Sequence, residues 1–364
     1  MNRVAQSPDS IANRKTTMMS GCTRKTRYWL SSLLLLAASP ALAEPAAPLP
    51  IIDVHLHAYA PDAHQPAEKQ LNDNENLYKA SQMTCAPYEN WPARDPGEPI
   101  ERYMDAYGGN PECQRKFKSV LNSEELRKRT IAELERLNIV AVTSGDADVV
   151  AQWHKQAPDR IIPGFHFGPG KLPPVEELRA LHATGQMQAL GEVAVQLVGI
   201  APNDPRLEPY YALAEELDIP FSMHVGPNAA GLAYFGMPDY RASLGDPLLL
   251  EEVLLRHPRM RIYVNHAGYP MGERMIALMQ AHPQVYVDTA AIGWIVPRAE
   301  FYRYLKLLVD AGFGKRIMFG SDQMLWPEGV AASVEEIQSA DFLTAEQKRD
   351  ILYNNAARFL RLEK

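Results

Sequence analysis

The sequence has few cysteines, no excess of basic residues and no apolar run long enough for a membrane span. Its longest apolar run, residues 29–38, falls short of the about 20 residues that a membrane-spanning helix needs. A formal net charge of -7 argues against a nucleic-acid surface that works by bulk positive charge. The 364 residues are otherwise ordinary, 46% hydrophobic and 22% charged, with room for one large domain or two small ones.

The apolar run belongs instead to a predicted export signal. Basic residues cluster at positions 24–27 before it, and the sequence Ser-Pro-Ala-Leu-Ala follows at 39–43. A charged segment, a short apolar segment and an Ala-x-Ala site are the parts of a cleavable signal peptide. We therefore predict that residues 1–43 are an N-terminal extension and signal peptide cleaved after Ala43, and that 44–50 form a linker. The mature protein would be periplasmic or secreted, with no stable membrane anchor.

The remaining cysteines support a second prediction. Export places the mature chain in an oxidising compartment. Cys85 and Cys113 are the two cysteines left after cleavage, and both lie in one irregular segment. We predict a disulfide between them, with two free thiols as the alternative. Such a bond would stiffen a long loop by restricting its unfolded state.

Strand and helix patterns alternate along the rest of the chain. The predicted strands are 51–57, 139–144, 160–167, 187–197, 219–225, 260–266, 284–289 and 316–321. Repeated strand–helix units indicate a parallel sheet covered by helices. Eight such units in about 270 residues match an α/β fold of the (β/α)8 TIM barrel type, here followed by a C-terminal helical tail. An open doubly wound sheet would show a Gly-rich turn after its first strand, and none is present.

We therefore predict one barrel domain over 51–364, interrupted by a long insertion. Residues 58–122 are rich in Asn, Pro, Gly and Tyr and have no sustained hydrophobic period. A loop of this length inside a domain is usually functional, so we expect it to fold over the mouth of a site. A disordered excursion is the alternative. Ser123 is predicted to cap the helix that follows.

Histidines and a carboxylate occupy the ends of the predicted strands. His55 and His57 end the first strand, where residues i and i+2 point to the same side and can reach one metal ion. His224 and His266 end the fifth and sixth strands, and Asp322 follows the eighth. In a barrel the C-terminal ends of the strands converge on one mouth, so the set predicts a metal site.

These motifs resemble those of the amidohydrolase superfamily, specifically its amidohydrolase-related (amidohydrolase-2) group of metal-dependent barrel enzymes. The resemblance covers residues 51–364 in order and spacing. It is carried by His55-Leu56-His57, His224, His266, Phe319-Gly320-Ser321-Asp322 and the closing helix sequence Asn354-Asn355-Ala356-Ala357-Arg358-Phe359-Leu360. It implies a divalent metal, zinc before manganese, iron or cobalt, held by His55, His57, His224 and Asp322.

The resemblance also implies a reaction. The metal would lower the pKa of water, and Asp322 would accept the proton of that water. His266 would orient the water or polarise the scissile carbonyl. The predicted activity is hydrolysis of an amide, ester or lactone by an exported enzyme.

Glu192, in the fourth strand, leaves the number of metal ions open. It can be a metal ligand that bridges two ions, with His224 and His266 helping to hold the second. It can equally be a carboxylate that pairs with one of the histidines. The sequence thus predicts one ion or two.

Three further residues are candidates for binding a small organic substrate. His166 lies near the end of the third strand, Tyr269 follows the sixth and Trp294 follows the seventh. Aromatic side chains at the mouth would suit an organic molecule with apolar surface. Asp288 also lies late on the seventh strand. The sequence is compatible with a homodimer as well as a monomer.

Two competing functions remain. A metal-dependent non-oxidative decarboxylase of an aromatic or unsaturated carboxylic acid would use a similar site, but it needs a cation near the metal. Arg241, Arg274 and Arg298 are candidates for that cation, although export disfavours this activity. A catalytically inactive binding barrel would lack one of the strand-end ligands, and none is missing.

Overall fold

The computed structural model describes part of the chain. The described residues are 48–62, 83–86, 93–100, 102–103, 115–167, 172–226, 228, 231–234 and 237–362. All belong to the second of two compact units, which spans Ala47–Lys364. The predicted signal peptide and the side chains of the predicted Cys85–Cys113 pair lie outside the described part, so both stay predictions.

Parallel strands form the centre of the molecule. In chain order the strands are β1 (Ile51–Ala58), β2 (Met83–Ala86), β3 (Arg115–Lys118), β4 (Ile139–Gly145), β5 (Ile161–Phe167), β6 (Ala189–Val193), β7 (Phe221–Met223), β8 (Ile262–Val264), β9 (Val285–Asp288) and β10 (Ile317–Met318). An eight-stranded sheet has the order β1-β4-β5-β6-β7-β8-β9-β10, and each neighbouring pair in it is parallel.

Backbone hydrogen bonds bring the two edges of this sheet together. Val54 N donates to Phe319 O at 2.9 Å, and Asp322 N donates to His55 O at 2.8 Å. Leu56 also forms an isolated parallel bridge with Gln323. The sheet is therefore nearly closed, which confirms the predicted (β/α)8 TIM barrel.

Helices cover the barrel. They are α1 (Ser123–Arg136), α2 (Ala147–Gln156), α3 (Val175–Ala183), α4 (Glu208–Leu217), α5 (Glu251–Arg256), α6 (Gly272–Ala281), α7 (Ile292–Ile295), α8 (Arg298–Leu308), α9 (Glu328–Ser339), α10 (Ala345–Arg349) and α11 (Asn355–Leu360). Across the described ranges, none of the helices has the length and apolar character needed to cross a membrane.

The helix α1 shows how the sequence fixes these elements. Leu126, Ile131 and Leu134 are buried on one face, as their spacing predicts. Each such leucine or isoleucine stabilises the fold by about 1.5–3 kcal/mol relative to an exposed position. The prediction that Ser123 caps this helix is wrong. Asn122 is the cap, because its side chain accepts the backbone N–H of Glu125 at 2.9 Å.

Ser123 is the first helical residue and binds the start of the insertion instead. Its backbone N–H donates to Asp62 Oδ2 at 3.2 Å, and its hydroxyl bonds the other oxygen of the same carboxylate. The Asp62 carboxylate is therefore fixed against the beginning of α1. This contact ties the first residues after β1 to the first barrel helix.

The last residues of the insertion are attached to the loops after β9 and β10. β3 pairs with β2 in an antiparallel hairpin. Phe117 on β3 is buried, with its ring edge-on to Trp294 at 5.3 Å. Trp326 donates its indole N–H to Ser119 Oγ at 2.8 Å, and Val120 N donates to Leu325 O. This hairpin therefore lies at the C-terminal ends of the barrel strands.

Candidate metal centre

Six titratable side chains meet at the C-terminal ends of the barrel strands. They are His55, His57, Glu192, His224, His266 and Asp322, which we call the ligand cluster. Each has an exposed fraction of 9% or less. Charged groups are rarely buried to this extent unless they are paired or bind metal.

The two histidines of β1 face the same point. Their side chains alternate onto one face of the strand, and the Nε2 atoms of His55 and His57 lie 3.1 Å apart. Asp322 Oδ1 lies 3.1 Å from His57 Nε2 and 3.6 Å from His55 Nε2. The hydrogen bond from Asp322 N to His55 O holds Asp322 beside these histidines. Closure of the barrel thus assembles this half of the cluster.

Glu192 lies between two pairs of histidines. Its Oε2 is 3.6 Å from His57 Nε2 and 3.8 Å from His55 Nε2. Its Oε1 is 2.5 Å from His224 Nδ1 and 3.3 Å from His266 Nε2. The carboxylate therefore has one oxygen directed to each pair of histidines.

Glycine before Glu192 lets the strand pass close to its neighbour. Gly191 has φ of 144°, and a Cβ added there would lie 2.3 Å from Ser222 Cβ on β7. Real Cβ atoms do not come this close, so β6 can approach β7 only with glycine at this position. The approach brings Glu192 to the side chain of His224, which follows β7.

His224, His266 and Asp322 lie just beyond their strands rather than in them. β7 ends at Met223, β8 at Val264 and β10 at Met318, each earlier than the sequence predicts. His266 and Asp322 both have φ of 55°, in the left-handed region. A strand cannot continue through that conformation, so the chain turns and directs both side chains to the mouth.

Hydrogen bonds fix which ring nitrogens of two histidines face the cluster. His55 Nδ1 lies 3.0 Å from Asp288 Oδ2, so its N–H donates to that carboxylate and Nε2 faces the cluster. Asp288 also accepts the backbone N–H of His266 at 2.7 Å. His266 Nδ1 donates to Ala290 O at 3.0 Å, which turns its Nε2 toward Glu192. Asp288 therefore positions His55 and His266. Its place late on the seventh predicted strand did not reveal this role.

Opposite charges control the protonation of the cluster. Burial alone would raise the pKa of Glu192, but the imidazoles of His224, His266 and His55 hold it well below its usual range. Burial alone would lower the pKa of His266, but Glu192 and Asp322 raise it to about 9. The imidazoles thus keep Glu192 ionised, and the carboxylates favour the protonated form of His266 until a cation binds.

The donor set fits a divalent cation. Ligand atoms of His55, His57 and Glu192 lie within 4.8 Å of one another, as do those of Glu192, His224 and His266. Two ligands of a tetrahedral zinc ion are about 3.4 Å apart when each bond is about 2.1 Å. Among the described residues, the buried Asp322 Oδ1 has no hydrogen-bond partner. A cation would satisfy that oxygen. His224 faces Glu192 and His266, whereas Asp322 faces His55 and His57.

His57 is flanked by two further side chains. The ring of His166 is edge-on to it, with centroids 5.4 Å apart and an interplanar angle of 83°. Tyr59 stacks on it, also at 5.4 Å and with an angle of 4°. Sequence reasoning missed Tyr59 as a site residue. The available signal was its position two residues after His57, just beyond the end of the first strand.

Trp294 and Tyr269 contact protein groups. Trp294 is 3% exposed and donates its indole N–H to Ser321 O at 2.7 Å. The Tyr269 ring packs edge-on against Tyr304, with ring centroids 5.1 Å apart. The substrate-binding roles of Trp294, Tyr269 and His166 stay predictions.

The eight-stranded barrel and the buried histidines and carboxylates at its mouth point to the class of amidohydrolase-like barrel proteins. The amidohydrolase (Amidohydro_2) family model matches residues 52–362, and the chain belongs to this family. No curated relative matches the chain.

Solved structures share the fold at low sequence identity. An uncharacterised TIM-barrel protein from Bordetella bronchiseptica is 17% identical with a TM-score of 0.56, over 86% of this chain and 99% of that chain. A probable 2-pyrone-4,6-dicarboxylic acid hydrolase from Acinetobacter baumannii, with citric acid bound, is 12% identical with a TM-score of 0.51, over 86% and 100%. The 5-carboxyvanillate decarboxylase of Sphingomonas paucimobilis is 14% identical with a TM-score of 0.51, over 86% and 99%. At these identities the likeness concerns the fold alone.

Proposed function

We propose that this protein is a metal-dependent hydrolase acting on the carbonyl group of an amide, ester or lactone. The observation that carries the proposal is the ligand cluster, in which buried imidazole and carboxylate atoms converge at the barrel mouth. A divalent cation, zinc in our proposal, would supply a Lewis acid and make hydroxide available near neutral pH. His55, His57, Asp322 and Glu192 would hold it. A second ion, if bound, would lie at Glu192, His224 and His266.

Asp322 is suited to accept a proton. Its Oδ1 faces the β1 histidines, whereas its Oδ2 lies 4.0 Å from His266 Nδ1. One oxygen can thus serve the cation while the other takes a proton from the attacking water. The same carboxyl group can then return that proton to the leaving oxygen or nitrogen.

The role of His266 depends on the number of ions. Its Nδ1–H is used by Ala290 O, so Nε2 is the nitrogen that faces the cluster. With one ion bound beside His55 and His57, His266 keeps its proton and can donate it in a hydrogen bond to the substrate carbonyl. A second ion would instead take His266 Nε2 as one of its ligands, in place of that proton.

The contacts of the three candidate arginines favour hydrolysis over decarboxylation. A decarboxylase needs a cation to hold a carboxylate near the metal, and the three arginines considered for this role are engaged elsewhere. Arg241 donates to Pro238 O and Tyr240 O, Arg274 pairs with an aspartate and Arg298 pairs with a glutamate. Within the described ranges, the ion pairs of Glu192 and Asp322 are all with histidines.

Metal analysis joined to an activity screen tests the proposal. Purified protein is assayed for bound metal and then screened with lactones, esters, amides and aromatic carboxylic acids. We expect metal-dependent cleavage of one carbonyl class, which Asp322→Asn reduces by about 10²-fold or more as a general base is lost. Asp341→Asn, an exposed aspartate, is the matched control. Release of CO₂ from an acid would overturn the assignment in favour of a decarboxylase.

The number of ions has its own test. Glu192→Gln keeps the size of the side chain but weakens both of its contacts with the histidine pairs. We expect metal content to fall from two ions per chain toward one if Glu192 bridges. One ion per chain in both proteins would exclude the two-ion arrangement and leave His266 as a hydrogen-bond donor.

We also propose that the protein is exported and processed after Ala43. The basic, apolar and Ala-x-Ala segments of residues 24–43 support this proposal. N-terminal sequencing of protein from the periplasm or medium tests it, since processing predicts Glu44 as the first residue. Full-length protein found only in the cytoplasm would refute it.

A further inference from the structure

The residue Tyr59 extends the histidine pattern of β1 by one step. Tyr59 is the first residue after β1 and lies two residues beyond His57. The Tyr59 ring lies parallel to the His57 ring, with 5.4 Å between centroids. It is half-buried, and in the described part of the chain its hydroxyl makes no hydrogen bond. The phenol beside the ligand cluster is thus free to bind a ligand.

A second observation, on His166, also indicates that a ligand binds on this side of His57. Its ring packs edge-on against His57, and its Nδ1 atom is buried. Within the described residues that nitrogen has no hydrogen-bond partner. Leaving a buried polar atom unpaired costs about 1–3 kcal/mol, so such atoms usually have a partner in the working protein. Tyr59 and His166 therefore present two unpaired polar groups around one histidine.

Resting on the proposed function, we propose that Tyr59 is a catalytic residue whose hydroxyl donates a hydrogen bond to the carbonyl oxygen of the substrate. Attack of water forms a bond to the carbonyl carbon, and the π electrons of the carbonyl move onto its oxygen. That oxygen becomes negative beside the carboxylates of Glu192 and Asp322, so it needs a donor as well as the cation. A phenol O–H is a neutral hydrogen-bond donor, so it adds no charge to the site.

The size of the expected effect on kcat follows from the negative charge that develops on the carbonyl oxygen. A donor aimed at the oxygen of a tetrahedral intermediate contributes about 10²–10³ in kcat, because its bond strengthens as negative charge builds. The ground-state carbonyl gains much less from the same donor. Removing the hydroxyl should therefore lower kcat far more than it changes KM.

The test compares Tyr59→Phe with wild type and with Tyr302→Phe. Phenylalanine keeps the ring that stacks on His57 and removes only the hydroxyl. Tyr302 lies on α8 and donates to Glu336 O, so its variant controls for loss of a tyrosine hydroxyl elsewhere. Each protein is assayed with the best ester, lactone or amide from the screen. Metal content and binding of an aryl methylphosphonate, a stable tetrahedral anion, are measured in parallel.

We expect Tyr59→Phe to keep its metal, to lose about 10²-fold in kcat with less than about threefold change in KM, and to bind the phosphonate more weakly by a similar factor. Unchanged kcat and phosphonate affinity in an active enzyme would overturn the assignment of Tyr59. Loss of metal in Tyr59→Phe would also overturn it, because the hydroxyl would then serve the cluster rather than the substrate. Wild-type protein that binds metal but cleaves no carbonyl substrate would overturn the proposed function, and this inference with it.

Discussion

At the scale of the residue, Asp288 shows how one buried carboxylate sets the chemistry of two histidines. It accepts from the His55 ring, from the Asn265 amide at 2.7 Å and from the backbone N–H of His266. Burial alone would raise the pKa of Asp288, but the neighbouring His55 lowers it below its usual value. An ionised carboxylate has only acceptors, so His55 must present Nδ1–H to it and Nε2 to the cluster.

Asp288→Asn should therefore weaken metal binding by about 10–100-fold, the usual effect of losing such a partner. The amide can present N–H to His55 Nδ1, which then becomes an acceptor and leaves the proton on Nε2. Competition titration with a zinc indicator measures the change. Asp341→Asn serves as the exposed control, and equal zinc affinity in all three proteins would contradict the role given to Asp288.

At the scale of the element, the hairpin of β2 and β3 decides where the insertion meets the barrel. Phe117, Trp294 and Ala332 form a small apolar cluster of their own, with Trp326 packed against it. The composition of 58–122 indicated a long insertion but gave no sign of this hairpin. Four-residue strands carry too little periodicity for a sequence pattern to reveal them.

Phe117→Ala should lower the free energy of unfolding by about 3 kcal/mol, because it removes a buried ring from the Trp294 contact. Urea unfolding followed by tryptophan fluorescence measures the loss. Phe117→Leu should lose less, since it refills part of the volume. A loss in Phe117→Ala no larger than about 0.5 kcal/mol, typical of a surface site, would mean that the hairpin is not fixed in this way.

At the scale of the whole molecule, the meeting of the first and last barrel strands brings the site together. Asp53 Oδ1 accepts the backbone N–H of His55 at 2.9 Å and that of Ser321 at 3.0 Å. The carboxylate is fully buried between β1 and the residues after β10. It therefore connects the segment of His55 and His57 to the segment of Asp322.

Asp53→Ala should lower the free energy of unfolding by about 2–4 kcal/mol, because it leaves two buried N–H groups unpaired. Asp53→Asn keeps an acceptor oxygen and should lose less. Chemical denaturation of the metal-free proteins compares the three. Equal stability of the alanine variant and wild type would show that other contacts close the barrel.

The buried carboxyl group of Asp53 also leads us to predict that the free energy of unfolding depends on pH. Burial raises the pKa of Asp53 from 3.8 to about 7, against the opposing effect of its hydrogen bonds from Ser321 and His55. Between these values the folded protein holds a proton that the unfolded chain releases, so the contribution of this group to stability falls as pH rises. The stability of Asp53→Asn relative to wild type should thus increase from about pH 4 to about pH 7. Denaturation curves across this window check the trend, and a constant difference would contradict it.

Local sequence patterns were enough to predict the barrel and the histidines and aspartate that lie at its mouth. Alternation along β1 put His55 and His57 on one face, and repeated strand–helix units predicted where His224, His266 and Asp322 would meet. These patterns are local: they repeat along the chain and do not depend on which segments pack together. The folded structure was needed to show that Glu192 lies between two histidine pairs and that Asp288 orients His55. Those contacts join residues far apart in the chain, so they depend on packing distances that no local pattern encodes.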